Sequence, residues 1–190
     1  MIGILALQGG VEEHRNAMSR YGVDIGLIKR REDLENICGM ILPGGESTTI
    51  TKLIRLSGID PLVRSLIDRG MPVWGTCAGS ILLSRGGIWE SAEVEMERNA
   101  YGTQKESRIR SGTVKGRSGM IPMVFIRAPR VVNISGDVEV LARADRDMVA
   151  LRQGNVLLTT FHPELTSETY FADVFMKMVY SSNPHAASNS

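Results

Sequence analysis

The sequence predicts an α/β protein: a single domain with an open, mixed and mostly parallel sheet that carries helices on both faces. Three observations lead to this fold class. In the first half, short apolar runs alternate with amphipathic helical stretches, the pattern of a parallel sheet covered on both sides. Gly-rich turns follow three of these runs, where ligands bind in such sheets. The second half is richer in short β runs, several of which we expect to form antiparallel hairpins attached to the main sheet.

The elements are expected in the following order. Apolar, β-branched runs in the first half predict strands at residues 2–7, 24–29, 40–43 and 71–76. Helical periodicity predicts helices at 11–21, 48–57, 61–69 and 78–84. Further strands are expected at 94–98, 123–126, 131–134, 138–143, 148–152 and 156–161. Residues 167–175 indicate an N-capped, amphipathic closing helix.

Composition limits the size and the partners of the protein. The 190 residues, 43% of them hydrophobic, suffice for one well-buried domain, which we expect over 1–182, followed by a disordered polar tail at 183–190. Lys and Arg number 22 against 21 Asp and Glu, and they are interspersed, so neither nucleic acid nor a membrane surface is indicated as a partner. Two cysteines suit a reducing compartment, without a disulfide, metal or cofactor, and the absence of a signal-like or spanning segment predicts a cytoplasmic protein.

A strand, a sharp turn and a helix are indicated by the run V-W-G-T-C-A-G-S at residues 73–80. The run contains G-x-C-x-G, the cysteine counterpart of a nucleophile elbow. Gly75 and Gly79 allow the strand and the helix to approach closely around a strained turn residue. Free N–H groups at the helix N-terminus favour a thiolate there. The pattern predicts Cys77 as a nucleophile exposed at the tip of the strand.

A base and an orienting carboxylate are indicated by His162 and Glu164, which follow the last predicted strand. In an extended segment, residues two apart point to the same side, and Pro163 favours an extended backbone. Glu164 is therefore expected to hold one ring nitrogen of His162 while the other nitrogen faces Cys77. The three residues predict a Cys-His-Glu catalytic triad.

Structural roles are expected for the other reactive side chains. Cys38 lies in an apolar run and is interpreted as a small buried hydrophobe. His14 falls in the first helical stretch and His185 in the polar tail, and a surface position is the preferred interpretation for both.

The Gly-rich turn L-P-G-G-E-S-T-T at residues 42–49 has two interpretations. Glycines before hydroxyl residues at a helix start bind phosphate well, but the turn lacks the Lys and the spacing of a Walker loop. The alternative is an oxyanion hole, in which the N–H groups of Gly45 and Ala78 share the negative charge of a tetrahedral intermediate. We favour the oxyanion hole.

Six blocks carry a family resemblance: LALQG at 5–9, LPGGESTT at 42–49, GTCAG at 75–79, ERNAYG at 97–102, FIRAP at 125–129 and FHPELT at 161–166. G-x-C-x-G with a His-x-Glu pair is typical of the class I glutamine amidotransferases, which have a flavodoxin-like fold. The GGESTT, ERN and FIRAP blocks narrow the resemblance to the glutaminase subunit of pyridoxal 5'-phosphate synthase. The blocks extend from the N-terminus to the closing helix.

This resemblance implies an activity and a set of residues. Cys77 would attack the side-chain amide of L-glutamine, His162 would protonate the departing ammonia, and Glu164 would orient the imidazole. The residues that it places around glutamine are Gly45, Glu46, Ser47, Arg98, Ile126 and Arg127. Arg98 or Arg127 suits the substrate carboxylate. The other interpretation of these arginines is a surface ion pair with Glu95 or Glu97.

The resemblance also implies a partner. Ammonia becomes ammonium in bulk water, so the family delivers it to a docked synthase subunit that combines it with a pentose phosphate and a triose phosphate. We expect the turn at residues 8–10 and the following helix at this interface. Two segments depart from the family pattern. The segment at residues 85–93 is shorter than in the family, so the shape of the lid over the site is not predicted. The segment at 105–119 is basic and Gly-rich, so the lengths of its hairpins are not predicted either.

Two alternatives remain. A glutaminase subunit of another synthase, such as imidazole glycerol phosphate synthase, would share the triad, although the ERN block argues against it. A non-catalytic binding protein that keeps Cys77 as a redox sensor would not require His162 or Glu164.

Overall fold

The fold is taken from a computed structural model, which describes residues 1–98, 100 and 108–183. The strands are β1 Ile2–Leu5, β2 Ile25–Ile28, β3 Gly39–Leu42, β4 Val73–Thr76, β5 Val94–Glu97, β6 Arg108–Val114, β7 Met120–Phe125, β8 Arg130–Ile134, β9 Glu139–Ala144, β10 Asp147–Gln153 and β11 Val156–Thr159. In this described part of the chain, nine strands form one sheet in the order β2-β1-β3-β4-β11-β10-β9-β6-β7, and β5 pairs with β8 in a separate two-stranded sheet.

The sheet has a parallel part and an antiparallel part. Strands β2, β1, β3, β4 and β11 pair in parallel. From β11 onward the pairing is antiparallel through β10, β9, β6 and β7. The predicted hairpins of the second half are therefore present and extend the main sheet at one edge.

Helices cover both faces of the parallel part. They are α1 Val11–Met18, α2 Ser47–Ser57, α3 Asp60–Asp68, α4 Ala78–Leu83 and α5 Tyr170–Ser182. Residues of α1 and α5 pack with Ile2, Ile4 and Ile41 in one apolar cluster. Residues of α2, α3 and α4 pack with Met40 and Leu42 in the other. Because successive strand residues point to opposite faces, β3 contributes to both cores. The predicted open mixed sheet with helices on both faces is confirmed.

Several local predictions need correction. The sequence did not predict β6, which lies in the basic segment at 105–119 whose hairpin lengths were not predicted. The first helix ends at Met18 and continues as a 3-10 turn over Ser19–Tyr21. The closing helix begins at Tyr170, and its cap residue Thr169 makes no side-chain capping bond. Instead, the Glu168 carboxylate accepts the N–H groups of Thr169 at 3.0 Å and Tyr170 at 3.1 Å.

The segment at residues 85–93 is anchored by a tryptophan. Trp89 is fully buried and its indole N–H donates to Asp60 at 2.9 Å. Arg64 of α3 donates to the carbonyls of Ile88 and Trp89. The short segment is therefore held against α3. No described helix is long and apolar enough to cross a membrane.

Candidate active site

Cys77 lies on a strained turn between β4 and α4. Its φ of 47° and ψ of −108° belong to a conformation that L-residues rarely adopt. A Cβ at Gly79 would lie 1.9 Å from the carbonyl oxygen of Leu42, and one at Gly75 would lie 2.6 Å from the backbone of Gly79. Both glycines of the motif are thus required for the close crossing of the strand and the helix.

The thiol of Cys77 is buried, contrary to the prediction of an exposed strand tip. The residue is only 4% exposed, and its Sγ donates to the carbonyl oxygen of Ile126 at 3.5 Å. The segment that follows β7 therefore lies against the sulfur. Sequence alone placed Cys77 at a strand end but could not show which distant segment packs there.

His162 and Glu164 form a close pair, but not through an extended backbone. Pro163–Leu165 form a 3-10 turn. This turn still brings Nδ1 of His162 to 2.7 Å from Oε1 of Glu164, whose side chain is 1% exposed. Proline is tolerated in the first turn of a helix, so Pro163 begins the turn instead of keeping the chain extended.

The charges of this pair are set by burial and by hydrogen bonds. Burial lowers the pKa of His162, but hydrogen bonds to Cys77 and Glu164 outweigh it and raise the pKa to about 10. Burial raises the pKa of Glu164, but the hydrogen bond from His162 and the charge of His14 outweigh it, so this pKa lies below its usual range. An imidazolium at His162 is therefore favoured between the thiol and the carboxylate.

The Gly-rich turn at 43–45 is fixed by three neighbouring groups. The N–H of Gly44 donates to Oγ1 of Thr76 at 3.0 Å, and its carbonyl accepts the N–H of Gly10 at 3.1 Å. Oε1 of Gln8 accepts the N–H of Glu46 at 2.9 Å. In the described part of the chain, the N–H groups of Gly45 and Ala78 donate no hydrogen bond.

A pocket of about 310 Å³ opens over Cys77. Its lining consists of Gln8, Gly45, Glu46, Ser47, Cys77, Ala78, Ile81, Arg98 and Arg127. The structure therefore brings together five of the six residues that the resemblance placed around glutamine. The sixth, Ile126, is not among the described residues of this lining, but its carbonyl contacts the sulfur. The volume lies at the lower end of the range for small-molecule sites.

The charged residues of the lining differ in their surroundings. Glu46 is the cap of α2 and accepts the N–H groups of Thr48 at 3.2 Å and Thr49 at 2.7 Å. The Thr48 hydroxyl and these backbone donors lower the pKa of Glu46 to about 2. Arg98 and Arg127 form no ion pair with any described residue, so the alternative of surface pairs is not supported. Arg127 has a φ of 47°, a second strained backbone at this site.

Sequence reasoning placed the turn of Gln8 at the ligand crevice without naming Gln8 as a binding residue, it missed Ile81, and it was wrong about His14. His14 is 1% exposed and lies behind Glu164, with Nε2 at 3.5 Å from Oε2. A signal was available, since Val11, His14 and Met18 have the spacing of one helix face. Cys38 is half-buried instead of fully buried. His185 and Asn99 of the ERN block lie outside the described residues.

Similarity to solved structures places the fold in a class. A structure described as a glutamine amidotransferase matches with a TM-score of 0.85 and 40% identity, over 94% of this chain and 98% of its own. A structure described as a GMP synthase component from Thermoplasma acidophilum shares the fold at 16% identity, with a TM-score of 0.71, over 97% of this chain and 94% of its own. The fold is that of the class I glutamine amidotransferases.

Within that class, the chain belongs to the SNO glutamine amidotransferase family, whose sequence profile matches residues 4–181. Curated relatives are similar over nearly the whole chain. The pyridoxal 5'-phosphate synthase subunit PdxT of Caldicellulosiruptor saccharolyticus is 46% identical, covering 93% of this chain and 96% of the relative. The protein of the same name from Bacillus mycoides is 45% identical, covering 94% of each chain.

Proposed function

We propose that this chain hydrolyses L-glutamine to L-glutamate and ammonia and supplies the ammonia to the synthase subunit of a pyridoxal 5'-phosphate synthase. The observation that carries the proposal is the buried thiol of Cys77, which lines the pocket. A Cβ at Gly44 would lie within 3.1 Å of both Cys77 Cβ and the ring of His162, so the thiol lies close to the His162–Glu164 pair. Family membership and the names of the relatives support the same activity.

The first half of the reaction forms a thioester. Cys77 reacts as a thiolate whose proton rests on the imidazolium of His162. Its sulfur attacks the side-chain amide carbon of glutamine, and the carbonyl π electrons move to oxygen. The N–H groups of Gly45 and Ala78 stabilise this oxyanion. When the intermediate collapses, the C–N bond breaks and His162 gives its proton to the leaving nitrogen, so ammonia departs. The raised pKa of His162, about 10, supports its role as the proton donor.

The second half of the reaction releases glutamate. Neutral His162 removes a proton from a water molecule, whose oxygen attacks the thioester carbon. The C–S bond breaks, glutamate leaves, and the thiolate of Cys77 faces an imidazolium again. Glu164 keeps the ring of His162 in one orientation through both halves.

Substrate binding is proposed for the pocket lining. Arg98 and Arg127 supply guanidinium groups for the α-carboxylate, and the absence of ion pairs to described residues leaves their charge available. Glu46, ionised by its low pKa of about 2, suits the α-ammonium group. The remaining proposed binding groups are Gly45, Ser47 and the backbone of Ile126, which would contact glutamine near its side-chain amide.

The partner follows from the chemistry of the product. Free ammonia would be protonated in neutral water, so a docked acceptor subunit preserves the nucleophile. The turn at residues 8–10 is the proposed contact, because it touches both α1 and the segment at residues 43–46, which carries Gly45 and is called the oxyanion strand. The cytoplasmic location that composition indicates remains a prediction.

The test is glutamate release from glutamine with the purified synthase subunit present. We expect wild type and Cys38→Ala to release glutamate at similar rates, while Cys77→Ala gives only the blank. His162→Asn should also fall to near the blank, and an unchanged rate would exclude the triad. If wild type is silent with this synthase but active with imidazole glycerol phosphate synthase, the partner is wrong and the glutaminase activity stands.

A further inference from the structure

Behind the proposed triad lies a histidine that the mechanism does not use. His14 is 1% exposed and stands on the buried face of α1, one turn before Met18. Its ring meets Trp74 edge-on, with the centroids 6.0 Å apart. A buried imidazole in an apolar core is costly unless its nitrogens have polar partners, so the contacts of this ring identify its role.

One nitrogen of the ring is fixed by the backbone. Nδ1 of His14 lies 2.7 Å from the carbonyl oxygen of Gly10. A carbonyl only accepts, so Nδ1 carries the proton and donates it. This bond sets the rotation of the ring and aims Nε2 toward the site.

Nε2 faces two groups that the proposed reaction uses. It lies 3.2 Å from the hydroxyl oxygen of Thr76, which accepts the N–H of Gly44 in the oxyanion strand. It also lies 3.5 Å from Oε2 of Glu164. Because a carboxylate oxygen only accepts, this contact holds the carboxylate when Nε2 carries a second proton and the ring is an imidazolium. Within residues 1–98, 100 and 108–183, this oxygen is buried and has no hydrogen-bond partner, whereas Oε1 bonds to His162. His14 is thus the polar side chain that faces the outer oxygen of the carboxylate.

We propose that His14 is a positioning residue for glutamine hydrolysis, which holds Glu164 from behind so that Oε1 stays on the ring of His162. The same nitrogen contacts Thr76 and so connects the carboxylate to the Gly44 peptide. This inference rests on the proposed function. Without His14, the buried carboxylate can rotate, and the ring that it orients loses its alignment with Cys77. Since His14 is not among the described residues that line the pocket, glutamine binding should be spared.

Two substitutions distinguish the role of Nδ1 of His14 from the role of Nε2. In His14→Asn, the short amide can still donate to Gly10 but cannot reach Glu164. In His14→Gln, the longer amide places a donor near the position of Nε2. We expect His14→Asn to lower kcat for glutamine about 10- to 100-fold with KM changed less than about twofold, and His14→Gln to retain most of kcat. Assays use the complex with the synthase subunit.

A stability control and a spectroscopic readout complete the test. Met18→Leu, on the same buried face, should lower the melting temperature slightly without changing kcat. In the isolated chain, the low-field proton resonance of His162 Nδ1–H should shift in His14→Asn and persist in His14→Gln. A wild-type kcat in His14→Asn, equal losses of kcat in His14→Asn and His14→Gln, or an unshifted resonance in His14→Asn would overturn the proposal. If the wild-type complex released no glutamate, the result would count against the proposed function alone, because the proton resonance of His162 still tests the role of His14.

Discussion

His162 lies between a thiol and a carboxylate, and both neighbours act on its charge in the same direction. Burial alone would favour the neutral ring, yet the contacts with Cys77 and Glu164 raise its pKa to about 10. The side chain is only 12% exposed, so these contacts are weakly screened by water. The ring should therefore remain protonated across the neutral range while the substrate binds.

This charge state gives a prediction for the free chain. We expect the imidazole of His162 to titrate near pH 10 in wild type and at lower pH in Cys77→Ala, because the variant removes the first of the two contacts that raise the pKa. The Cε1–H chemical shift followed against pH by NMR measures it. Cys38→Ala is the matched control and should match wild type. An unchanged titration in Cys77→Ala would contradict the contact between ring and thiol.

The residues of the site differ in how far sequence could predict them. Cys77, Gly75 and Gly79 are neighbours in the chain, and their spacing alone indicates a strand-turn-helix. The role of His14 depends on which segment, 150 residues later, packs against α1, and no local pattern contains that information. The burial of Cys77 against the carbonyl of Ile126 could not be predicted for the same reason.

At the scale of the element, α2 begins with a side chain that also lines the pocket. Glu46 accepts two backbone N–H groups of the first turn, which would otherwise have no partner within the helix. The partial positive charge at this helix start adds to the stabilisation of the carboxylate. Stability and the proposed recognition of the substrate would therefore depend on the same group.

Substitution of this cap predicts a pH-dependent loss of stability. Glu46→Ala should lower the free energy of unfolding by about 1 kcal/mol at pH 7, the usual cost of a lost cap. The folded pKa of about 2 lies below the ordinary 4.5, so the contribution is present above pH 4.5 and lost as pH falls through about 2. Urea unfolding at pH 7 and at lower pH measures the difference between the proteins.

The control for this experiment is Glu12→Ala, which removes an exposed carboxylate from the first turn of α1. Its pair with Arg15 at 3.7 Å is solvent-exposed, and we expect a cost of at most about 0.5 kcal/mol. A Glu46→Ala effect of the same size as this control, or one that does not shrink in acid, would show that the cap contributes little.

Strands and helices could be predicted where their amino-acid composition and the periodicity of their apolar residues indicated the same type of element. The buried parallel strands are continuous apolar runs, and each was predicted with small shifts at its ends. The missed strand β6 has the sequence R-I-R-S-G-T-V, in which polar residues and a glycine hide the pattern. A Cβ at Gly112 would lie 2.6 Å from the carbonyl of Arg143, so the glycine serves the close approach to β9 instead of marking a loop.

At the scale of the whole molecule, the site lies where four distant segments meet at the carboxyl ends of β1, β3, β4 and β11. The turn at residues 8–10 holds the oxyanion strand through Gly10 and Gln8. A partner that docks on this turn would act on the strand directly. The fold class was predictable because alternating elements define it, whereas the antiparallel order of β9, β6 and β7 depends on long-range pairing.

This arrangement predicts which backbone amides are protected when the synthase subunit docks. Addition of the synthase subunit should slow amide hydrogen exchange over residues 9–18, because the turn and α1 become covered and their hydrogen bonds open less often. Exchange measured by mass spectrometry, with and without the subunit, reports the change. The amides of α3, on the opposite face of the sheet, serve as the internal control. Equal slowing in α3, or none in 9–18, would place the interface elsewhere.

Cys77 is only 4% exposed, whereas Cys38, which precedes β3, is half-buried, and this difference determines how the chain reacts with electrophiles. Bulky alkylating reagents encounter Cys38 first, although Cys77 has the more activated surroundings. An electrophile shaped like an amino acid enters by the route that the substrate takes. Covalent inhibitors of this protein would thus gain their selectivity from molecular shape.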